Sequence, residues 1–190
     1  MGVRFSKRGL VETIERICAQ ESRANKEDMR TAKRWEEKIK TPGIVMYLKK
    51  GGSDQSEDQP FMRTESNFNK AFKMNKLLKV IYEPEHQKGW DKNLEVAEKQ
   101  PFDGGSKTIA FSYVKNKKQF TISSRDFYEK GFNFVHNGKF YRYSTSIDHS
   151  EDALKPLPDG QTVRGFTFYN AAIMEREPKT GKILFQVVTQ

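Results

Sequence analysis

The chain has 190 residues, with 34 lysines and arginines against 25 aspartates and glutamates, so its formal charge is +9. This length predicts one domain with its own core. The basic excess favours an anionic partner, either nucleic acid or an anionic membrane surface. The single cysteine, Cys18, excludes an internal disulfide and indicates a reducing compartment. No run approaches the ~20 apolar residues of a membrane-spanning helix and no secretory leader is recognisable, so we expect a cytoplasmic protein.

The first residues, Met1 to Ser6, match the short pattern of N-myristoylation at Gly2. One acyl chain binds membranes only marginally, and the nearby Arg4, Lys7 and Arg8 would supply a second, electrostatic signal. Peripheral membrane attachment through Gly2 is therefore one expectation, and a chance match of a short motif is the other.

The first half of the chain alternates helical and extended patterns. Apolar residues at 3.6-residue spacing predict a helix over residues 9–38. Further on, the patterns predict strands at residues 43–48 and 61–68, a polar loop at 51–59, a helix at about 70–82 that Pro84 ends, and a short helical turn at 85–91.

The second half is a series of aromatic strands: fifteen of the 23 Phe, Tyr and Trp residues lie between Phe102 and Phe185. Turn residues separate the predicted strands, and Asn137-Gly138 is the strongest hairpin signal among them. The predicted strands cover residues 94–100, 107–114, 120–134, 139–147, 162–174 and 182–189. Together they predict a curved antiparallel sheet with a large apolar face.

Several short motifs occur in an order that resembles the steroidogenic-acute-regulatory-related lipid-transfer (START) domain. The motifs are Trp35, preceded by Arg34 where the family has glycine, then Gly43–Tyr47, Gly89–Leu94, Ser124–Phe127, Ser144–Ile147 and Val163–Gly165. The resemblance covers roughly residues 32–190. It implies an α+β helix-grip fold, in which a curved antiparallel sheet grips a C-terminal helix and one lipid lies between them.

The sequence ends at Gln190, directly after the segment that resembles the last strand, so the C-terminal gripping helix is absent from this sequence. We divide the chain into an N-terminal basic segment and helix, residues 1–31, and a START-like lipid-binding domain, residues 32–190. That domain is truncated at its last strand relative to the family.

Alternating residues on three predicted strands are candidates to line a lipid cavity. These candidates are Ile109, Phe111, Tyr113, Tyr141, Tyr143, Phe166 and Phe168. The same rings could instead pack a solid core, and the residues alone leave both readings open. Lys117 and Lys118 join the N-terminal basic residues as candidate membrane contacts.

Arg125 and Asp126 are adjacent in a predicted strand, so one of them should point inward. A buried charge requires a partner, which could be a lipid head group met by Arg125 or an ion pair within the protein. By resemblance to phosphatidylcholine-binding members, Asp91 could contact choline, but Gln87 stands where those members have arginine. In sterol-binding members a second arginine follows the first by six residues, and here that position is Gly131. The lipid class stays open.

Other functions are less well supported by the sequence. The histidines, His86, His136 and His149, share no metal-ligand or general-base spacing, so we expect no enzyme, no metal and no cofactor. The lysines are interleaved with acids, which argues against a nucleic-acid partner. We therefore predict a lipid-binding and lipid-transfer domain for a sterol, phospholipid or sphingolipid, with a membrane-tethered lipid-sensing adaptor or a nucleic-acid-binding module as alternatives.

Overall fold

The computed structural model describes residues 6–27, 35–49, 60–102, 106–120, 122–147 and 162–190. Three helices and ten strands lie in these ranges. The helices are α1 (Lys7–Glu27), α2 (Met74–Tyr82) and α3 (Pro84–Trp90). The strands are β1 (Glu36–Thr41), β2 (Ile44–Lys49), β3 (Phe61–Phe68), β4 (Leu94–Phe102), β5 (Ser106–Asn116), β6 (Arg125–His136), β7 (Lys139–Ser146), β8 (Val163–Arg164), β9 (Asn170–Arg176) and β10 (Ile183–Thr189).

The strands follow the hydrogen-bonded order β1-β2-β3-β10-β9-β7-β6-β5-β4. Neighbouring strands pair antiparallel from β1 to β9 and from β6 to β4 in this order, whereas the two-residue β8 pairs with β6 in parallel. The α+β architecture with one long antiparallel sheet is the one that the sequence predicts. The chain forms two compact units, the first from Met1–Phe72, Phe134–Tyr143 and Tyr169–Gln190, and the second from Lys73–Asn133 and Ser144–Phe168.

In the first unit, α1 packs on β9 and β10. The helix buries the face that carries Leu10, Val11, Ile14 and Cys18, whose spacing follows the 3.6-residue period. Ala171, Met174, Ile183 and Val188 are fully buried in the two strands. The amide of Gln186 donates to the backbone carbonyl of Cys18, at 3.2 Å, and so ties the helix to β10.

In the second unit, α3 packs on β4, which pairs with β5, and β5 pairs with β6. Pro84 is the first residue of α3, where its missing N–H costs nothing, and it separates α3 from α2. The ammonium of Lys99 on β4 lies 3.0 Å from the carboxylate of Glu83, the residue between the two helices. This ion pair indicates the face of β4 on which α3 packs.

The predicted helix over residues 9–38 is wrong at its C-terminal end, because residues 36–41 form strand β1. Pro42 and Gly43 form the turn that joins β1 to β2, and Gly43 has a φ of +85°, as the third position of a type II turn requires. Pairing with β2 determines the conformation of this charged segment. The predicted boundary between residues 31 and 32, and the loop at 51–59, lie outside the described residues.

Two predicted strands include residues that have no regular secondary structure. The strand predicted at 120–134 begins only at Arg125. The strand predicted at 162–174 is interrupted between β8 and β9. In the interruption, the N–H of Thr167 donates to the Ser146 hydroxyl at 2.8 Å, and the Thr145 hydroxyl donates to the carbonyl of Phe168 at 2.8 Å. Side chains of β7 thus replace the backbone partners that a strand would provide.

Local signals fixed other boundaries correctly. Strand β3 spans the predicted residues 61–68. The turn between β6 and β7 has φ of 48° at Asn137 and 74° at Gly138, the two left-handed positions of a type I′ hairpin. Helix α2 begins at Met74 rather than at residue 70, because the Asn69 carboxamide accepts the N–H of Ala71 at 2.9 Å and holds a turn there.

Candidate functional site

The register of β4, β5 and β6 in the second unit determines which side chains share the face on which α3 packs. Lys99, whose ammonium reaches Glu83, pairs with Ser112, and Ala97 pairs with Val114. Val114 in turn pairs with Phe127, and Asn116 pairs with Arg125. Because directly opposite residues project to the same face, all of these side chains lie on one face, which we call the helix-side face.

The helix-side face is mixed in character: it carries the polar Lys99, Ser112 and Glu129 beside its apolar side chains. Leu94 and Ala97 are buried, and Val114 and Phe127 are half-buried. Phe127 packs so closely on Gly165 that a β-carbon at Gly165 would lie 2.3 Å from the ring. At the far end, Asn116 and the exposed Arg125 stand opposite each other. The face thus offers an apolar patch at Val114 and Phe127 next to the polar pair Asn116 and Arg125.

A buried ion pair lies on the opposite face of the same strands. Asp126 is fully buried. Its carboxylate accepts from the Arg164 guanidinium at 2.8 and 3.2 Å, and from the Tyr113 hydroxyl at 3.2 Å. Burial, reinforced by Asp126, raises the pKa of Tyr113. The inward charge of the Arg125-Asp126 motif is therefore Asp126, and it has a partner within the protein.

The predicted lining residues of β5 share the Asp126 face, not the helix-side face. Ile109, Phe111 and Tyr113 pair with Phe132, Lys130 and Tyr128, respectively. The rings of Phe111 and Tyr128 stack at 5.8 Å, and the ammonium of Lys130 lies 5.9 Å from the Phe111 ring. Among the predicted ligand residues on β5 and β6, Arg125 is the one that the structure places on the helix-side face.

The other predicted ligand residues are distributed over both units. Phe166 and Phe168 form an edge-to-face pair at 4.9 Å, with Phe166 half exposed, in the interruption between β8 and β9. Asp91 caps α3, and its carboxylate accepts the N–H of Asn93 at 3.0 Å, which gives it a role in a turn. Burial raises the pKa of Tyr143 on β7. Whether any of these residues contacts a ligand stays a prediction.

Tyr141 is bound to the N-terminal helix. The Tyr141 hydroxyl donates to the Glu15 carboxylate at 2.6 Å, and its ring stacks on Phe134 at 5.5 Å. Burial and this hydrogen bond raise the pKa of Tyr141. Tyr141 lies in a groove of about 600 Å³ between α1 and the β6–β7 hairpin, which Val11, Glu12, His136, Asn137 and Lys139 also line.

The predicted N-terminal membrane contacts are only partly described. Lys7 and Arg8 lie at the same groove, where Arg8 forms an exposed ion pair with Glu12 at 2.9 Å. The ammonium of Lys7 lies 5.7 Å from the centre of the Phe134 ring. Gly2 and Arg4 lie outside the described residues, so the myristoylation pattern stays a prediction.

The most exposed apolar side chain in the described chain belongs to a loop that the sequence reading assigned to a strand. We call residues 117–122, of which Thr121 is not described, the Phe120 loop. Gln119 and Ile122 exchange two backbone hydrogen bonds at 3.0 and 2.7 Å, and Phe120 at the tip has a φ of 44°. The Phe120 side chain is fully exposed, and Ile122 is 53% exposed.

The Phe120 loop combines this exposed ring with positive charge. Lys117 and Lys118, both predicted membrane contacts, precede Phe120 and are exposed. The ammonium of Lys117 donates to the carbonyl of Lys92 at 3.1 Å, which holds the loop beside the turn that follows α3. A left-handed φ at a bulky residue carries strain, which persists where surrounding structure enforces it and often marks a functional position.

Cys18 is a structural residue in this fold. It lies on the buried face of α1, and burial raises the pKa of its thiol to about 12, although the Arg63 guanidinium lowers it in part. Because the thiolate is the reactive form, this cysteine is a poor nucleophile at neutral pH. The described residues contain no group of three or more His, Cys, Asp or Glu side chains that could hold a metal ion. None of the helices described is long and apolar enough to cross a membrane.

The fold is that of solved START domains. Human StAR-related lipid transfer protein 5 superposes with a TM-score of 0.66, at 20% identity, over 92% of this chain and 82% of that chain. Human STARD10 gives 0.73, at 12% identity, over 98% of this chain and 67% of that chain. A STAR-related lipid transfer protein from Xanthomonas axonopodis gives 0.63, at 14% identity, over 82% and 80% of the two chains. No protein-family model matches the chain, and the search of curated proteins found no match.

These similarities confirm the START-like fold and the helix-grip class that the sequence motifs predict. The motif order from Trp35 to Gly165 was therefore a sufficient signal for the fold. Sequence reasoning missed the helix-side face and the Phe120 loop. The available signal for the loop was the polar stretch of residues 115–119, which interrupts the apolar alternation before Phe120.

Proposed function

We propose that the chain is a lipid-binding domain that holds one sterol, phospholipid or sphingolipid and exchanges it with membranes, without catalysing a reaction. The observation that carries the proposal is the START-like fold. Two proteins that share it, one human and one from Xanthomonas axonopodis, are named lipid transfer proteins. A binding site of this kind needs apolar shelter rather than reactive groups, since each CH₂ left in water costs about 0.8 kcal/mol.

We place the lipid against the helix-side face of the second unit. Val114 and Phe127 offer apolar contact there, while Arg125 and Asn116 are at the polar end. In this arrangement the polar group of the lipid meets Arg125, as the sequence suggested for that residue. The Asp126 face is less suitable, because its central groups are already engaged in the ion pair with Arg164.

Mass spectrometry of the intact protein under native conditions tests the lipid site. Ser112→Trp puts a large ring on the helix-side face and should lower lipid occupancy by about tenfold, because it fills the space that the lipid needs. Glu98→Trp is the matched control, since Glu98 pairs with Tyr113 and its side chain is exposed on the opposite face. Equal occupancy in the two folded variants would show that the lipid does not lie on the helix-side face.

The Phe120 loop is the proposed membrane-docking element of this transfer function. An exposed aromatic ring enters the interfacial region of a bilayer readily, and nearby lysines are attracted to anionic head groups. Phe120, Lys117 and Lys118 provide this combination within four residues. The loop follows directly on Asn116 and precedes Arg125, so docking would bring the polar end of the helix-side face close to the bilayer.

Phe120→Glu should weaken binding to vesicles of phosphatidylcholine and phosphatidylserine by about tenfold or more, because it replaces an inserting ring by a repelled charge. Vesicle co-sedimentation measures the effect. Val135→Glu provides the control, because Val135 is an apolar residue with 54% exposure that lies in the other unit, away from the Phe120 loop. If Phe120→Glu binds the vesicles as well as the wild type does, docking through this loop is ruled out. The lipid site is tested separately by Ser112→Trp.

Cytoplasmic localisation and attachment through an acylated Gly2 are proposed from the sequence alone. Lys7 and Arg8 are compatible with a second basic contact near the N-terminus. Membrane partition that depends on Gly2 would support a tethered lipid sensor in addition to a transfer protein.

A further inference from the structure

Two adjacent serines, Ser123 and Ser124, connect the Phe120 loop to β6, and their hydroxyl groups have different surroundings. The Ser124 hydroxyl donates to the carbonyl of Asn116 at 2.7 Å and is half-buried. Ser123 is exposed. A reagent or enzyme in solution therefore reaches Ser123, whereas access to Ser124 requires its hydrogen bond to break.

The chain around Ser123 has the form that a protein kinase binds. Residues 119, 120 and 122–124 are irregular apart from the isolated bridge between Gln119 and Ile122, and Gln119, Phe120 and Ile122 are exposed on the N-terminal side of Ser123. A kinase that binds this segment in extended form has to open the bridge and the hydrogen bond, at 2.8 Å, from the Val163 N–H to the Ser124 carbonyl. The neighbouring β5 and β6, in contrast, are held in the sheet by their ladder of hydrogen bonds.

The charge of this stretch is uniformly positive. Residues 115–125 include four cations and no aspartate or glutamate. The ammonium of Lys115 is paired with the Glu95 carboxylate at 3.1 Å, and the exposed cations are Lys117, Lys118 and Arg125. The substrate groove of a basic-directed serine kinase is lined by acidic side chains, which such a segment complements. The cations stand on both sides of Ser123, with Arg125 two residues after it.

We propose that Ser123 is a phosphorylation site through which a basic-directed serine kinase releases this protein from anionic membranes. In the reaction, the Ser123 Oγ forms a bond to the γ-phosphorus of ATP, the bond from that phosphorus to the β-phosphate oxygen breaks, and the hydroxyl proton leaves. The products are phosphoserine and ADP. The inference rests on the proposed docking role of the Phe120 loop.

The effect of the phosphate follows from its position. Phosphoserine carries close to two negative charges at neutral pH. At Ser123 these charges lie three residues from Phe120 and two from Arg125. They offset the attraction of about two basic residues to an anionic surface. Binding to anionic vesicles should therefore fall by at least about tenfold, with little change for neutral vesicles.

The experiment uses the full chain with phosphoserine installed at position 123, compared with unmodified protein and with Ser123→Ala. Co-sedimentation is measured on vesicles that contain phosphatidylserine and on vesicles of phosphatidylcholine alone. We expect weaker binding of the phosphoprotein to the anionic vesicles only, and unchanged binding of Ser123→Ala. Equal binding of the phosphorylated and unmodified proteins would overturn the release mechanism.

A second measurement locates the phosphate. A basic-directed kinase and ATP are added to the folded protein, and the modified residue is mapped by mass spectrometry. Incorporation should be lost in Ser123→Ala and retained in Ser124→Ala. Phosphate on Ser124 or Thr121 instead would overturn the assignment.

The docking proposal and the phosphorylation proposal can be contradicted independently of each other. If unmodified protein ignores anionic vesicles, or if Phe120→Glu binds them as well as wild type, docking through the loop is wrong whatever the phosphate does. If Phe120→Glu loses binding but phosphoserine at 123 does not weaken it, docking stands and the regulation proposed here is wrong.

Discussion

Asp126→Ala is expected to lower the free energy of unfolding by about 3 kcal/mol. The substitution removes both carboxylate contacts of the Arg164 guanidinium, at 2.8 and 3.2 Å, and the acceptor of the Tyr113 hydroxyl. Asp126 is fully buried, whereas the Arg164 side chain is 26% exposed, so water compensates the arginine only in part. The expected loss is therefore at the lower end of the range for a broken buried pair. Urea denaturation followed by circular dichroism measures it.

Two further variants distinguish the loss of stability caused by breaking the ion pair from a general effect of mutating this strand. Arg125→Ala removes the adjacent, exposed charge and should change the stability by less than about 0.5 kcal/mol. In Asp126→Ala combined with Arg164→Ala, the loss should be smaller than the sum of the two single losses, because the arginine is no longer left beside an apolar residue. Additive losses, or a loss below about 1 kcal/mol for Asp126→Ala alone, would contradict the structural role assigned to the pair.

Ile14→Ala is expected to lower the free energy of unfolding by a similar amount, about 3 kcal/mol. Ile14 is completely buried on the face of α1 that packs on β9 and β10. The truncation removes apolar contact and leaves a cavity between the helix and strands whose buried side chains, such as Ala171 and Val188, cannot move to fill it. The same denaturation experiment applies, and loss of the first unit should be visible in the far-ultraviolet spectrum.

The control for this variant is Arg16→Ala. Arg16 lies two residues away on the exposed side of the same helix, and alanine is at least as good a helix former. The free energy of unfolding of Arg16→Ala should match that of the wild type within about 0.5 kcal/mol. If Ile14→Ala were equally harmless, α1 would not be an integral part of the first unit, and the predicted separation of residues 1–31 from the rest would gain support.

Local chemistry made much of the fold predictable. Asn137-Gly138 specified a type I′ hairpin because both positions need a left-handed backbone, and Pro84 separated α2 from α3 because proline fits only at a helix start. Strand β1 was missed because its charged residues have no apolar alternation, although Pro42-Gly43 was a type II turn signal. The interruption at residues 165–169 depends on side chains of Thr145 and Ser146, which no pattern within the segment reports.

The candidate site was less predictable for a geometric reason. Alternation shows that Phe111 and Tyr113 share a face with each other, and it gives no information on which face the helices cover. That choice depends on contacts such as Lys99 with Glu83, sixteen residues apart, and Tyr141 with Glu15, 126 residues apart. Likewise, the aromatic pattern predicted that Phe120 is buried. In the structure it lies at the tip of the turn between Gln119 and Ile122, and its ring is exposed.

Strand β1 has a consequence for how the protein behaves in concentrated solution. It lies at one end of the order of described strands, its six residues are all exposed, and four of them are charged: Glu36, Glu37, Lys38 and Lys40. A strand from a second molecule that paired with this edge would have to dehydrate those side chains and accommodate the irregular register near Glu37 and Ile39. The sheet therefore has a built-in barrier to fibrillar growth at this edge.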